Sequence, residues 1–351
     1  GLRADGRLRA ELQAHDLGGR LRGRALAGHA DAAIDGDAYR GQLALTLGGS
    51  RIDARGSVDT AVAVTASLAP LRLDDLLPGA RGVLRGTLAL RGARTAPDIA
   101  VDLAGSDLAF GAYRASRVQA QGRLPWRAGD GDLRLEASGV QAGLPLDTLH
   151  ARLRGAVERL QLDAEARGEA GRLALSAQAR RQGARWDGTL ATLTLAPAQA
   201  AAWTLRQPAR WAWDGRSGAL SEACLAATGG GTLCVQGDWP RRGLDLHGEA
   251  LPLALLGDWL PRREDGRRWV FDGTLDLTAQ LRPQGGAWRA SASLTSASGG
   301  LRNSARARRA LLAYRDLTLA ASLDPQRIEA RIAAGLDSGG RLDAHFATGW
   351  D

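Results

Sequence analysis

Apolar and polar residues alternate along most of the chain, and this period of two constrains the fold more than any other feature. Leu133, Leu135 and Ala137 alternate with Asp132, Arg134 and Glu136. Leu160, Leu162, Ala164 and Ala166 alternate with Gln161, Asp163, Glu165 and Arg167, and Leu173, Leu175 and Ala177 follow. The same pattern returns at Leu275, Leu277, Ala279 and Leu281, at Leu317, Leu319, Ala321 and Leu323, and at Ile328, Ala330 and Ile332. Successive side chains of a strand point to opposite faces, so each run has one oily face and one wet face. Turn signals recur roughly every dozen residues, which predicts about 25–30 strands.

The connections are short and rich in Gly and Asp, as at Gly48-Gly49, Gly129-Asp130-Gly131, Gly229-Gly230-Gly231 and Gly285-Gly286. Such loops suit antiparallel hairpins, whereas a parallel sheet needs crossover helices between its strands. The expected fold class is therefore all-β, a long antiparallel sheet. Twist limits an open sheet to about ten strands, so a longer one must curl, close or fold over.

Two segments that resemble one another break the alternation. Pro70 to Pro78 reads PLRLDDLLP, and Pro252 to Pro261 reads PLALLGDWLP; each is followed by a glycine and then a strand. Short helical or looped inserts are expected near 70–78 and 252–261, and also near 197–205 and 306–314, where Ala and Leu support a helical turn. No shift in composition marks a boundary, so residues 1–351 read as a single elongated body.

The 351 residues suffice for two ordinary domains, but the means of filling a compact core are scarce. Aromatics are 5%, ten of them Trp, and Met is absent, leaving Leu, Ala and Val to supply the interior. A core built that way is either thin or completed by something other than side chains. No apolar run approaches the roughly 18 residues of a membrane span, and no signal peptide is visible. The absence of Met and the start at Gly1-Leu2-Arg3 point to a piece of a longer protein.

The formal charge of +8 invites a nucleic-acid reading. Asp and Glu are interspersed with Arg almost throughout, however, which describes a solvated strand face and offers few stacking platforms. Arg302 to Arg309 (RNSARARR) is the one basic cluster, read as a solvated helical turn or as a contact for anionic headgroups or a protein.

Residues that could carry catalysis are scattered. His15, His29, His150, His247 and His345 lack a second ligand at metal spacing, and His247 and His345 fall on the outer faces of strands. There is no nucleophile elbow, P-loop or dinucleotide fingerprint. The expectation is a non-catalytic protein with no metal and no cofactor. Cys224 and Cys234 lie five residues either side of Gly229, so a hairpin turning there sets them face to face. A disulfide in an oxidising compartment and two buried thiols are both compatible with that placement.

Several blocks together resemble the TamB family. They are Trp203-Thr204-Leu205, Pro208-Ala209, Leu220-Ser221, Cys224-Leu225, Leu233-Cys234 and Gly237-Asp238-Trp239, then Leu251-Pro252-Leu253 to Leu260-Pro261 with the Gly273-Thr274-Leu275 strand. Leu71 to Leu77, Gly82 to Gly92, Pro97 to Leu103 and Gly111 to Gln121 fit as well. The resemblance is to a middle fragment of these AsmA-like, bridge-type lipid-transfer proteins of Gram-negative envelopes. It implies a β-taco, one sheet curled around an apolar trough that holds phospholipid acyl chains. It implies a periplasmic location, an inner-membrane anchor upstream, and an outer-membrane Omp85-type partner, TamA, met through regions outside this chain. The implied role is a conduit moving phospholipid between the two membranes and supporting outer-membrane protein assembly and secretion.

Under this reading the trough is lined by Leu133, Leu135, Leu160, Leu162, Leu173, Leu175, Leu275, Leu277, Leu281, Leu317, Leu319, Ile328 and Ile332. Small inner residues such as Ala137, Ala164, Ala166 and Ala279 leave room for a chain. The alternative is a structural or adhesive β-solenoid of the envelope, against which the single Asn (Asn303) and the irregular period argue.

Overall fold

The computed structural model describes residues 9–198, 200–254, 269–285, 287–304, 307 and 309–349. Among them are 23 strands and one single-turn helix, and each strand pairing is antiparallel. The all-β antiparallel sheet expected from the alternation is what the chain forms. The strands are fewer than expected because many are long, up to the 16 residues of Ala287–Arg302. Contacts divide the chain into two compact units, Gly1–Arg181 and Gln182–Asp351.

The first unit is a meander. Its strands are β1 (Arg9–Leu21), β2 (Arg24–Asp35), β3 (Ala38–Leu47), β4 (Ser50–Val58), β5 (Ala61–Arg72), β6 (Ala80–Ala93), β7 (Ala96–Phe110), β8 (Tyr113–Leu124), β9 (Gly131–Ala142), β10 (Leu144–Ala156), β11 (Arg159–Gly168) and β12 (Gly171–Gln182). Each pairs with the next one in the chain. Tight turns make this possible: Gly143 joins β9 to β10 at φ +81°, a conformation that costs glycine nothing and other residues much.

The expected insert near 70–78 contains a helical turn, α1 (Leu73–Leu76), between β5 and β6. It is held by a carboxylate rather than by packing. Asp75 is 1% exposed and accepts hydrogen bonds from Ser50 Oγ at 2.8 Å and the Gly49 amide at 3.0 Å. The Arg24 guanidinium lies 3.4 Å from its other oxygen and 2.9 Å from Asp74. Gly48 has φ +57°, and a Cβ there would come within 2.7 Å of the Asp75 carboxylate, so both backbone and space require glycine.

The second unit comprises β13 (Arg185–Pro197), β14 (Trp203–Leu205), β15 (Ala209–Trp213), β16 (Gly218–Ala227), β17 (Thr232–Trp239), β18 (Gly243–Pro252), β19 (Val270–Gln284), β20 (Ala287–Arg302), β21 (Leu312–Leu323), β22 (Arg327–Leu336) and β23 (Arg341–Gly349). The short strands β14 and β15 lie end to end between β13 and β16 and act as one strand interrupted near Pro208. From β16 onward each strand again pairs with the next.

Near 197–205 and 306–314 the described residues contain loop and strand but no helix. β13 runs to Pro197, residues 198 and 200–202 form a loop, and Trp203–Leu205 is strand because Trp203 and Thr204 bridge β13 and β16; residue 199 lies outside the described residues. Of 306–314, the last three residues open β21, drawn out by pairing with Gly299 to Leu301; Arg306 and Arg308 lie outside the described residues. Near 252–261, Pro252 ends β18 and Leu253 enters a short turn, while 255–261 lie outside the described residues.

The core is thin. The chain exposes 22551 Å², against about 13,600 Å² for a compact monomer of this mass. In the second unit Trp203, Leu251, Leu253 and Leu275 form a buried cluster, with Phe271 and Tyr314 packed on it. Ser296, also buried, donates to the Thr274 carbonyl at 2.6 Å and shares a hydrogen bond of 2.9 Å with the Tyr314 hydroxyl. Leu253, just after the end of β18, packs into this cluster.

Cys224 and Cys234 are direct cross-strand partners on β16 and β17 and form a disulfide across a sequence separation of 10. They lie on the outer face with His247, which pairs with Cys234. Closing a loop of this size restricts the unfolded chain by about 3 kcal/mol on the chain-entropy account. Replacing both cysteines by Ser is expected to lower the unfolding free energy by that order, read from urea denaturation followed by circular dichroism.

The turn joining β15 to β16 is fixed by Asp214. Its carboxylate accepts hydrogen bonds from the Ser217 hydroxyl and from the backbone amides of Ser217 (2.6 Å) and Arg216 (2.9 Å). These bonds, the Ser217 hydroxyl first, lower its pKa to about 2. A carboxylate depressed in the folded state contributes fully above its ordinary value, and that contribution is lost as the pH falls through about 2. Carbon-detected NMR titration is expected to show Asp214 still ionised at pH 3, and Ser217→Ala is expected to return it toward 3.8.

Candidate functional site: an apolar face and its trough

Register converts the alternation of single strands into rows that run across the sheet. Directly opposed residues of antiparallel strands share a face, with Cβ atoms about 4.5–5.5 Å apart. In the first unit one such row reads Ala14, Ala30, Leu43, Ala54, Ala66, Leu88, Val101, Gly122, Leu133, Leu153, Leu162 and Ala177, one residue from each of the 12 strands. The row beside it contains Leu45, Ile52, Leu68, Gly86, Leu103, Ala120, Leu135, Ala151, Ala164 and Leu175. Neither row contains a polar side chain.

The opposite face is charged. Asp132 faces Arg152 and Arg154 faces Asp163, while Arg51 pairs with Asp53 at 3.1 Å and Arg185 with Asp187 at 2.8 Å. The hydrogen bond from Arg152 holds the Asp132 carboxyl below its usual value. Exposed pairs of this kind contribute little to stability. Their arrangement accounts for the basic composition as a wetted face of both signs. Arg302, in the basic cluster, is likewise paired, with Asp272.

The residues expected to line a trough can now be placed. Leu133 and Leu162 share the first row, Leu135 and Leu175 the second, and Leu173 lies in a third with Leu149 and Ala166. Leu160 lies on the same face, between Gly155 and Ala179. In the second unit Leu277, Leu319 and Ile332 fall in one row with Leu233 and Leu294. Leu281 and Ile328 fall in another with Leu244, Ala290 and Leu323. Leu317 stands opposite Ser296, and Leu275 opposite Leu251 within the buried cluster. Of these thirteen residues only Leu275 is fully buried; the others are half-buried.

Between the two leucine-rich rows of the second unit lies a lower one: Val235, Leu246, Ala279, Ala292, Ala321 and Ala330. Four alanines on adjacent strands therefore form a floor between taller walls. The resulting cavity, about 430 Å³, is lined by Val235, Leu244, Leu246, Ala279, Leu281, Ala290, Ala292, Ala321, Leu323 and Ile328, together with the backbone-adjacent Gln280, Ser291 and Ser322. Beyond its Leu281 wall, Trp239 and Trp288 stack with ring centroids 3.9 Å apart. The single-strand pattern marks Ala279, Ala321 and Ala330 as inward-facing, but only register reveals that they are neighbours.

Groups for catalysis do not converge here. Among the described residues, the one cluster with metal-ligand spacing is Glu222, Cys224 and Cys234, and both sulfurs are in the disulfide. His247 lies 3.8 Å from Glu222 on the same outer face. No helix among the described residues is long and apolar enough to cross a membrane.

In each unit, an antiparallel sheet with one apolar face and one charged face marks an open-groove β protein. The chain matches the family model described as TamB, N-terminal domain, over residues 1–348, and it belongs to that family. Its place is thus among envelope-associated, bridge-like transport proteins. No curated protein and no solved structure matches it.

Proposed function

We propose that the apolar faces hold the acyl chains of phospholipid and let them move along the sheet between the inner and outer membranes, without catalysis. The observation that carries this reading is the apolar row crossing all 12 strands of the first unit without a polar interruption. Each CH₂ removed from water gains about 0.8 kcal/mol, so a sixteen-carbon tail gains on the order of 12 kcal/mol. A tail that slides from one row position to the next exchanges like surface for like, so movement costs far less than release. The thirteen leucine and isoleucine positions named above are the proposed lining.

In this proposal the whole chain is a single elongated conduit, periplasmic and tethered to the inner membrane by an upstream segment. It meets an outer-membrane partner of the TamA type through other regions, and lipid delivery supports outer-membrane protein assembly and secretion. Mass spectrometry of organic extracts from the purified protein is expected to find phospholipid in stoichiometric amount. Absence of lipid from the extract, together with failure of the delipidated protein to bind a fluorescent fatty acid, would overturn the proposal.

A further inference from the structure

We infer that one lip of the second unit is a headgroup site, where a belt of tryptophans and unpaired arginines receives the phosphate end of an anionic phospholipid. This rests on the acyl-chain reading above and adds a headgroup class to it. Register places the belt. Trp186, Trp213, Gly218 and Trp239 are successive cross-strand partners at the ends of β13, β15, β16 and β17. The Trp213 ring lies over Gly218, where a Cβ would meet it at 3.0 Å, and Trp239 stacks on Trp288 of β20. Trp288 is opposite Pro283 and so shares the apolar face with Leu281 and Ala290. Four tryptophans thus edge that face between β13 and β20.

Their exposure suits a boundary between oil and water. Trp213 and Trp288 are 45% and 40% exposed, whereas Trp203, at the opposite strand ends, is 6% exposed within the buried cluster. An indole joins a large apolar ring to an N–H donor, and such rings settle where hydrocarbon gives way to polar groups. The opposite strand ends carry Trp203, Leu251, Leu253 and Leu275 packed together, so a lipid on the apolar face presents its polar end at the tryptophan lip.

The charge of this lip favours an anion. Asp187 is paired with Arg185 at 2.8 Å, Asp238 lies 4.0 Å from Arg241, and Asp214 is held by the donors of its own turn. Arg216 and Arg242 stand in the turns beside Trp213 and Trp239, and Arg289 follows Trp288. None of these three guanidiniums has an ion pair among the described residues. Three carboxylates against five arginines leave the lip an excess of two positive charges. A guanidinium offers phosphate two parallel donors, and each basic residue near an anionic lipid adds attraction.

The experiment titrates the delipidated full chain with dioctanoyl phosphatidylglycerol or dioctanoyl phosphatidylcholine, each kept below the concentration at which it forms micelles. The blue shift of tryptophan emission that is lost in a Trp213→Phe/Trp288→Phe variant is the local signal. Phosphatidylglycerol is expected to saturate that signal at a concentration at least fivefold lower than phosphatidylcholine. Arg216→Gln with Arg242→Gln and Arg289→Gln is expected to abolish the preference. At about 1 M salt, where charges are screened beyond about 3 Å, the native chain is expected to lose it as well.

Equal affinity for the two lipids would overturn the headgroup site and leave the acyl-chain reading standing. A preference that survives in the triple variant, with its fold confirmed by circular dichroism, would do the same. Glycerol phosphate binding this lip as tightly as the lipid would overturn the site too, because the occupant would then be a free anion. So would a signal seen only with phosphatidylglycerol vesicles, which would make the lip a membrane-docking edge. Absence of any local signal would also overturn it, and with absence of lipid from extracts it would overturn both readings.

Discussion

Ala292→Asp is expected to lower acyl-chain affinity in the second unit by at least a hundredfold while leaving the fold intact. In the lipid-free protein the new carboxylate stands in an open trough and stays hydrated, so folding should lose little. A bound chain strips that water away. Desolvating an unpaired carboxylate costs several kcal/mol even after relaxation, and each 1.4 kcal/mol is tenfold in affinity. The neighbouring Ala279 and Ala321 offer no compensating donor. Quenching by a brominated fatty acid measures the affinity, and the thermal unfolding curve shows whether the fold has been spared. Affinity within threefold of the native value would mean that acyl chains do not pass over the floor.

The second large effect concerns the first unit. Asp75→Ala is expected to destabilise it by about 3 kcal/mol, in the range for removing one partner of a buried charged network. The loss leaves the Gly49 amide without its acceptor, leaves the Ser50 hydroxyl the more distant Arg72 carbonyl at 3.3 Å, and removes the carboxylate beside Arg24. Ser50 Oγ also accepts from the Arg72 amide at 2.8 Å, so the damage reaches the end of β5. Asp75→Asn keeps the shape, and its amide oxygen can still accept from both Ser50 and Gly49, but it loses the charge beside Arg24, so an intermediate loss is expected. Urea denaturation separates the three proteins; equal midpoints would show that the insert is held in place by something else.

These two sites differ in how legible they were from sequence. Alternation at Leu133 to Ala137 or Leu275 to Leu281 reveals strand and face because the period of two is a property of one strand alone. The trough needs more, since Ala279, Ala292, Ala321 and Ala330 become neighbours only through the register of four strands. Counting back from the turns after Gln284 and Leu323 pairs Ala279 with Ala292 and Ala321 with Ala330, but the longer connection 303–311 between β20 and β21 leaves the pairing of Ala292 with Ala321 beyond such a count. The disulfide was partly legible, since spacing about Gly229 places Cys224 opposite Cys234 but does not decide their oxidation state. Asp75 left little signal: a carboxylate in an insert between prolines looks solvated until Ser50 and Gly49 are seen to surround it. At 197–205 the described residues between β13 and β14 are loop rather than helix, and the ladder between β13 and β16 makes strand of Trp203–Leu205.

The meander has a further consequence, which concerns how such a chain comes to be folded. Within each unit a strand meets the strands nearest to it in the chain, and the β14–β15 pair counts as one. Partners this close in sequence require little loop closure, and topologies of low contact order fold quickly. The free edge of the last completed strand is a template for the next, so order can advance as each hairpin becomes available. A polypeptide threaded end first through a narrow pore can therefore acquire its native structure progressively, before its far end has emerged.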